Sequence, residues 1–249
     1  MSLFKSLRVR ASQGTQYIAD VRTPRPAGFR GRPVISTEPC ADGCSACRDV
    51  CPTRAIQLEP LRLDLGRCIL CEACVDACPA GKIALTPDPR MATAERQHLI
   101  VREGGDELAV RASVAFSRIF GRSLKMRQVS AGGCNGCELE LNALGNVNFD
   151  LQRYGIEWVA SPRHADALVL SGPLTSHMRQ AVQLAWDAMP DPRFVVAFGA
   201  CAISGGLYDG AAGVDRSFLD GVAPALYVPG CPPHPLTFVH AILDLLGVA

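Results

Sequence analysis

Twelve cysteines dominate the chemistry available to this 249-residue chain, and eight of them lie in two copies of one spacing between residues 40 and 78. Each copy reads Cys, two or three residues, Cys, two residues, Cys, three residues, Cys-Pro. In such a run three thiolates bind one [4Fe–4S] cubane, and the fourth, followed by proline, binds the neighbouring cluster. The predicted ligands of the first cluster are Cys40, Cys44, Cys47 and Cys78, and those of the second are Cys68, Cys71, Cys74 and Cys51.

The first copy departs from the usual spacing, because three residues separate Cys40 from Cys44 where two are usual. Gly43 can absorb the extra residue in a left-handed turn. A zinc cross-brace is the alternative interpretation of the run. Zinc would use two Cys-x2-Cys pairs and would need neither a third cysteine at this spacing nor two Cys-Pro ends.

From Lys125 onward short apolar runs alternate with helical patterns, which predicts an α/β fold with an open parallel sheet. The predicted strands are 126–130, 156–160, 167–171, 194–198 and 225–228, and the predicted helices are 137–144, 176–189 and 235–246. Within the cysteine-rich region two short strands are expected at 55–59 and 61–65.

The last four cysteines, Cys134, Cys137, Cys201 and Cys231, each have a glycine one or two residues before them and lie just beyond a predicted strand. The carboxyl ends of parallel strands share one edge of the sheet, where such folds bind ligands. Four distant thiols can therefore converge there, and glycine lets the backbone approach a bulky inorganic core. A third [4Fe–4S] cluster is the favoured interpretation, with a zinc ion or four unrelated buried cysteines as alternatives.

These patterns divide the chain into four parts: an extended basic arm over 1–37, a ferredoxin-like domain over 38–87, a connector with an amphipathic helix over 88–124, and the α/β domain over 125–249. The arm holds seven basic side chains and one acidic side chain. It is expected either to contact an anionic partner or lipid headgroups, or simply to be solvated. The helix, near 106–120, is expected to pack on a domain or on a partner.

Composition narrows the functional classes. The chain has neither an apolar run of membrane-spanning length nor an apolar stretch near Met1, which predicts a cytoplasmic location where cysteines serve metals or catalysis. The formal charge is only +1, and clusters with their thiolates would make the chain negative. Nucleic acid is therefore not an expected partner.

Four segments carry a resemblance to a known family: AGGCNGCELE at 131–140, SGPLT at 171–175, GACAISGG at 199–206 and VPGCPPHP at 228–235. They resemble the small electron-transfer subunits of [NiFe] hydrogenases, most closely the energy-converting, formate hydrogenlyase type. The same family includes the 20 kDa subunit of respiratory complex I. Residues 38–87 resemble bacterial-type two-cluster ferredoxins, so the chain looks like a fusion of the two.

The resemblance implies a flavodoxin-like fold that carries a [4Fe–4S] cluster on Cys134, Cys137, Cys201 and Cys231 and docks on a large catalytic subunit. In complex I the first two ligands are adjacent, whereas here Asn135 and Gly136 separate them, as in hydrogenases. In these families an acidic residue at the position of Glu140 is linked to proton-coupled events. The alternative is a purely structural role, in which Glu138 and Glu140 stabilise the first turn of a helix.

The main hypothesis is therefore an electron-transfer subunit with three [4Fe–4S] clusters and no catalytic residues of its own, since twelve thiols in three groups leave none for a nickel–iron centre. Its expected partners are a hydrogenase-like or complex I-like large subunit, an electron donor or acceptor subunit, and membrane-embedded subunits that hold the complex at the cytoplasmic face of the inner membrane. The alternatives are a complex I-like subunit that passes electrons to quinone and a zinc-binding structural scaffold.

Overall fold

The computed structural model describes residues 3–14, 17–23, 26, 28–105, 114–121 and 123–248. The first part of the chain contains α1 (Leu3–Gln13), β1 (Pro33–Ile35), α2 (Ala46–Asp49), β2 (Ile56–Gln57), β3 (Arg62–Asp64), α3 (Ala73–Asp76), β4 (Ile83–Leu85) and β5 (Ile100–Arg102). Two small antiparallel sheets form here, β1 with β4 and β2-β3-β5. The strands predicted at 55–59 and 61–65 are present in shortened form as β2 and β3, with Ile56 opposite Leu63.

The second part contains α4 (Val114–Phe120), β6 (Leu124–Ser130), α5 (Gly136–Ala143), β7 (Ile156–Trp158), β8 (Ala167–Ser171), α6 (Arg179–Asp187), β9 (Phe194–Phe198), α7 (Ala200–Ser204), α8 (Ser217–Gly221), β10 (Leu226–Val228) and α9 (Pro235–Leu246). Five strands form one parallel sheet in the order β10-β9-β8-β6-β7. This confirms the predicted α/β fold with an open parallel sheet.

Helices cover both faces of this sheet, which is why β8 and β9 are buried at every position. On one face Val169 and Val196 lie in a core with residues of α9, a helix that is buried almost all round. On the other face Leu168 and Val195 pack in a core with residues of α6 and α8. Since successive side chains of a strand point to opposite faces, the two cores alternate along β8.

The helix α4 lies within the segment near 106–120 for which the sequence predicts a connector helix. Phe116 and Phe120 of α4 pack against Phe194, so this helix faces the domain core. Residues 106–113 of the predicted helix lie outside the described residues. The connector also supplies β5, which pairs with β3, because Leu99 and Val101 complete the apolar core of the cysteine-rich region.

The prediction of an extended arm over 1–37 is wrong for two segments. Leu3–Gln13 is an α-helix, which the sequence permits because the first proline is Pro24. Pro33–Ile35 pairs with β4 as a strand. Between them, Val21 is buried in the core of the α/β domain, and the Arg22 guanidinium donates to the Val248 carbonyl at 2.7 Å.

The cysteine-rich region docks on the β10 side of the parallel sheet. Thr93 and Tyr227 exchange two backbone hydrogen bonds, so residues around Thr93 cover the edge strand. The core of this region also includes Ala202 and Ile203 of α7. In the part of the chain that the structure describes, no helix is both long enough and apolar enough to cross a bilayer.

Candidate iron–sulfur sites

The last four cysteines lie beyond the carboxyl ends of three parallel strands. Cys134 and Cys137 follow β6, Cys201 lies in the first turn of α7 after β9, and Cys231 follows β10. In parallel strands these ends meet at one edge of the sheet. The arrangement is the one that the sequence predicts.

The thiols of this group are close enough to influence one another. Burial raises the pKa of Cys201 to about 11, and the thiols of Cys231 and Cys134 act in the same direction. Burial also raises the pKa of Cys137, and Glu138 and the other three thiols act in the same direction. The fold thus makes Cys137, Cys201 and Cys231 costly to deprotonate unless a cation compensates their charge.

Glycine is required where the backbone passes these sulfurs. Gly199 has φ +92° and ψ 155°, and a Cβ atom there would lie 2.8 Å from the Cys137 sulfur. A Cβ on Gly206 would lie 3.1 Å from the Cys201 sulfur. These clearances form a cradle that any larger residue would fill, as expected where backbone closely approaches a ligand.

A second group consists of Cys51, Cys68, Cys71 and Cys74. Burial raises the pKa of Cys68 to about 12, and the thiols of the other three act in the same direction. Burial likewise raises the pKa of Cys74 to about 11. All four cysteines line one cavity whose other walls are largely apolar.

A third group consists of Cys40, Cys44, Cys47 and Cys78. Burial raises the pKa of Cys47, and the thiols of Cys78, Cys40 and Cys44 act in the same direction. The pKa of Cys78 is lowered, because backbone N–H groups of residues 80–83 outweigh the opposite effect of burial. Gly43 has φ +68°, as predicted for the turn that takes up the extra residue.

Backbone donors point at the sulfurs of the cysteine-rich loops. The N–H groups of Ala55, Leu70 and Lys82 donate to the sulfurs of Cys51, Cys68 and Cys78 at 3.2, 3.4 and 3.2 Å. Such bonds favour the thiolate over the thiol. They are also among the means by which a protein sets cluster potentials.

The donor chemistry fits iron–sulfur cubanes: three groups of four thiols, each with glycine clearance, an apolar cavity or N–H···S bonds. Among the described residues, no three His, Cys, Asp or Glu side chains lie close enough together to bind one metal ion. A cubane distributes its four thiolates over four iron atoms rather than around a single ion. The assignment of individual cysteines to clusters stays a prediction.

The two glutamates beside the sheet edge differ in environment. Glu138 accepts a hydrogen bond from Ser171 at 2.6 Å. Its pKa is lowered, because the hydrogen bonds from Ser171 and Ser130 outweigh burial, which acts in the opposite direction. Burial raises the pKa of Glu140, which lines an open cavity together with Cys231 and His234.

His234 caps a helix. Its Nδ1 atom accepts the Leu236 N–H at 3.1 Å at the first turn of α9, and burial lowers the pKa of the imidazole. The imidazole therefore stabilises the first turn of α9 as a helix cap.

No sequence pattern points to Arg216, yet its guanidinium binds three successive carbonyls of α7. The donor–acceptor distances are 3.0 Å to Cys201, 2.8 Å to Ala202 and 2.8 Å to Ile203. A single arginine in a loop carries no spacing or periodicity, so sequence reasoning had no signal by which to find it.

Comparison with known proteins supports this picture. Residues 134–245 match the family model "NADH ubiquinone oxidoreductase, 20 Kd subunit", and residues 39–82 match the model "4Fe-4S dicluster domain". The chain is 39% identical over 132 residues to formate hydrogenlyase subunit 7 of Escherichia coli, which covers 51% of this chain and 50% of that protein. It thus spans half the length of that relative.

Two further relatives extend the comparison. The chain is 37% identical over 127 residues to the probable membrane-bound hydrogenase subunit mbhJ of Pyrococcus furiosus, covering 51% of this chain and 75% of the relative. It is 40% identical over 111 residues to NADH-quinone oxidoreductase subunit 6 of Thermus thermophilus, covering 44% and 60%. The matches confirm the resemblance found in the sequence, and the chain belongs to the family of the NADH ubiquinone oxidoreductase 20 Kd subunit, with a 4Fe-4S dicluster domain preceding the family's own domain.

Proposed function

We propose that this chain is the iron–sulfur electron-transfer subunit of a membrane-associated [NiFe] hydrogenase complex of the formate hydrogenlyase type, and that it holds three [4Fe–4S] clusters. The observation that carries the proposal is the gathering of twelve thiols into three groups of four, each at the spacing or sheet edge expected for a cubane. The clusters would supply one-electron transfer. The chain's own residues bind them, exclude water and set their potentials.

The positions of the three groups suit a linear relay. Cys74 experiences the charge of Cys47, which belongs to the neighbouring group, so the two ferredoxin-like groups are close. Ile69 and Leu70, which follow Cys68, line one cavity together with Cys231, and a Cβ atom on Gly66 would lie 2.8 Å from the Ile203 side chain. The group with Cys68 therefore lies between the other two.

The far end of this relay offers a surface for a catalytic partner. Cys134 and Cys231 are exposed. Nearby, Leu139, Leu207 and Tyr208 are 62%, 55% and 47% exposed. Exposed apolar side chains beside a redox site are typical of a protein interface, which supports a large catalytic subunit docking here. Membrane-embedded subunits would then hold the complex at the cytoplasmic face of the inner membrane.

Anaerobic purification of the complex, followed by iron, sulfide and zinc analysis and reductive EPR titration, tests the cofactors. We expect about twelve irons per chain and three cluster signals. The Cys78→Ser variant should lose the cluster bound by Cys40, Cys44 and Cys47, whereas Cys51→Ser should lose the neighbouring one. Zinc without iron or sulfide would refute the proposal in favour of a structural scaffold.

The second candidate is a complex I-like subunit whose partner passes electrons to quinone. The 40% identity to an NADH-quinone oxidoreductase subunit of Thermus thermophilus favours it, and the two-residue separation of Cys134 from Cys137 favours the hydrogenase. Identification of the co-purified large subunit decides between them. Two Cys-x2-Cys nickel motifs in that subunit support the hydrogenase, and a quinone-binding subunit without them supports the alternative.

A further inference from the structure

Arg216 closes the carboxyl end of α7, the helix that carries Cys201. Its two terminal nitrogens donate to the carbonyls of Cys201, Ala202 and Ile203. The carbonyls of Ala202 and Ile203 lie in the last turn of a short helix, where intrahelical partners are lacking, whereas the Cys201 carbonyl also accepts the Gly205 N–H at 2.9 Å. The planar guanidinium is suited to several such bonds at once, and it remains charged in proteins.

The same guanidinium lies in a field of charges at the contact between the two parts of the chain. Asp209 and Asp220 favour its charged form, whereas Arg96 and Arg67 oppose it. Arg67, from the loop before Cys68, binds Asp209 at 2.8 Å. Arg216 thus stands beside an ion pair that joins the loop of one cysteine group to the loop that follows α7.

Two physical consequences follow from this position. Three hydrogen bonds to consecutive carbonyls fix the orientation of α7 and therefore of the Cys201 side chain. The positive charge lies close to this ligand, since the guanidinium donates to the backbone carbonyl of Cys201 itself at 3.0 Å. A cluster gains one negative charge on reduction, so a nearby cation stabilises its reduced form and raises its potential.

We propose that Arg216 is a positioning residue for the third cluster. Its hydrogen bonds to α7 hold Cys201 in place, and its charge raises the reduction potential of that cluster. This inference rests on the proposed function, because it requires a cluster bound by Cys201. It assigns the role to a residue outside all cysteine motifs.

The test compares Arg216→Gln, Arg216→Lys and the matched control Arg193→Gln in the purified complex by EPR redox titration. Arg193 also caps a helix, since it donates to the carbonyls of Trp186 and Met189 at the end of α6. It precedes β9, whereas Cys201 follows that strand, so the two lie at opposite ends of β9. Arg193 therefore has the same helix-capping role as Arg216 but does not lie near Cys201.

We expect Arg216→Gln to lower the ratio of reduced to oxidised third cluster about tenfold at a fixed applied potential, a shift of about 59 mV for a one-electron couple. Arg216→Lys keeps the charge and should restore most of the ratio. Arg193→Gln should leave it unchanged, and the two ferredoxin-like clusters should be unaffected in all three variants.

Each other outcome has a defined meaning. Loss of the third cluster in Arg216→Gln alone, with retention in the other two variants, also supports the inference. An unchanged ratio in Arg216→Gln, equal shifts in the Gln and Lys variants, or an equal effect of Arg193→Gln would overturn it. Absence of the third cluster from the wild-type complex would instead refute the proposed function.

Discussion

Replacing Gly199 by alanine tests whether the third cluster depends on close backbone approach to Cys137. Gly199 has φ +92° and ψ 155°, a region that is essentially restricted to glycine and costs another residue about 1–3 kcal/mol. The added methyl group would lie 2.8 Å from the Cys137 sulfur. An ordinary non-bonded contact needs about 3.5 Å, so the sulfur or the loop must move by about 0.7 Å.

That displacement is large for a ligand, because functional side chains need to be held within about 0.5 Å of their working geometry. We therefore expect Gly199→Ala to lower the free energy of unfolding by about 1–3 kcal/mol and to remove about four irons per chain. Both ferredoxin-like clusters should remain, since their ligands lie on other loops.

Gly210→Ala is the matched control. Gly210 also has a positive φ, +81°, but a Cβ atom there would meet nothing within 4 Å. This variant has the backbone strain, about 1–2 kcal/mol, without the contact to sulfur. The assay is iron and sulfide content together with EPR of the reduced complex. If Gly199→Ala retained the full third-cluster signal, or Gly210→Ala lost it equally, the reasoning from close approach would be refuted.

Three further predictions concern buried polar groups and thiols. Ser171→Ala removes a hydrogen-bond donor to the Glu138 carboxylate, whose pKa is lowered from 4.5 in the folded chain. The variant should therefore lose about 1 kcal/mol of unfolding free energy at pH 7 in denaturant unfolding, and progressively less as the pH falls below 4.5. An equal loss at pH 3 would contradict this prediction. Lys82→Met breaks the 3.0 Å ion pair between Lys82, whose side chain is only 3% exposed, and Glu103. Anaerobic thermal unfolding should show that the free energy of unfolding falls by about 1–3 kcal/mol. An unchanged Tm would show that the pair contributes nothing to stability. In the reduced, metal-free chain, the rate at which Cys201 is alkylated, followed by mass spectrometry, should rise until the pH reaches about 11, because only the thiolate reacts. A plateau near pH 9.0, the pKa of an ordinary thiol, would show that burial does not raise the pKa of Cys201.

The parallel sheet and the positions of its strands in the sequence were predictable because strands buried on both faces are continuous apolar runs, such as Phe194–Phe198. The convergence of the last four cysteines followed from the same argument, since each lies a short distance beyond a strand. The connector was harder to interpret. Its β5 is only three residues long and is recognisable as a strand only from its pairing with β3.

The amino-acid sequence by itself determined the family and predicted the cysteine groups, because most ligands of one ferredoxin-like cluster are separated by two or three residues and such spacing is a local property. Only the tertiary structure supports the proposal that the group with Cys68 lies between the other two, and only it shows which charges surround the loop of Cys201. These depend on the docking of the ferredoxin-like region against α7 and β10 and on the placement of Arg216, contacts between residues far apart in the chain. Packing of distant surfaces leaves no periodicity or spacing in the sequence, so the proposed relay order and the proposed role of Arg216 rest on contacts that exist only in the folded chain.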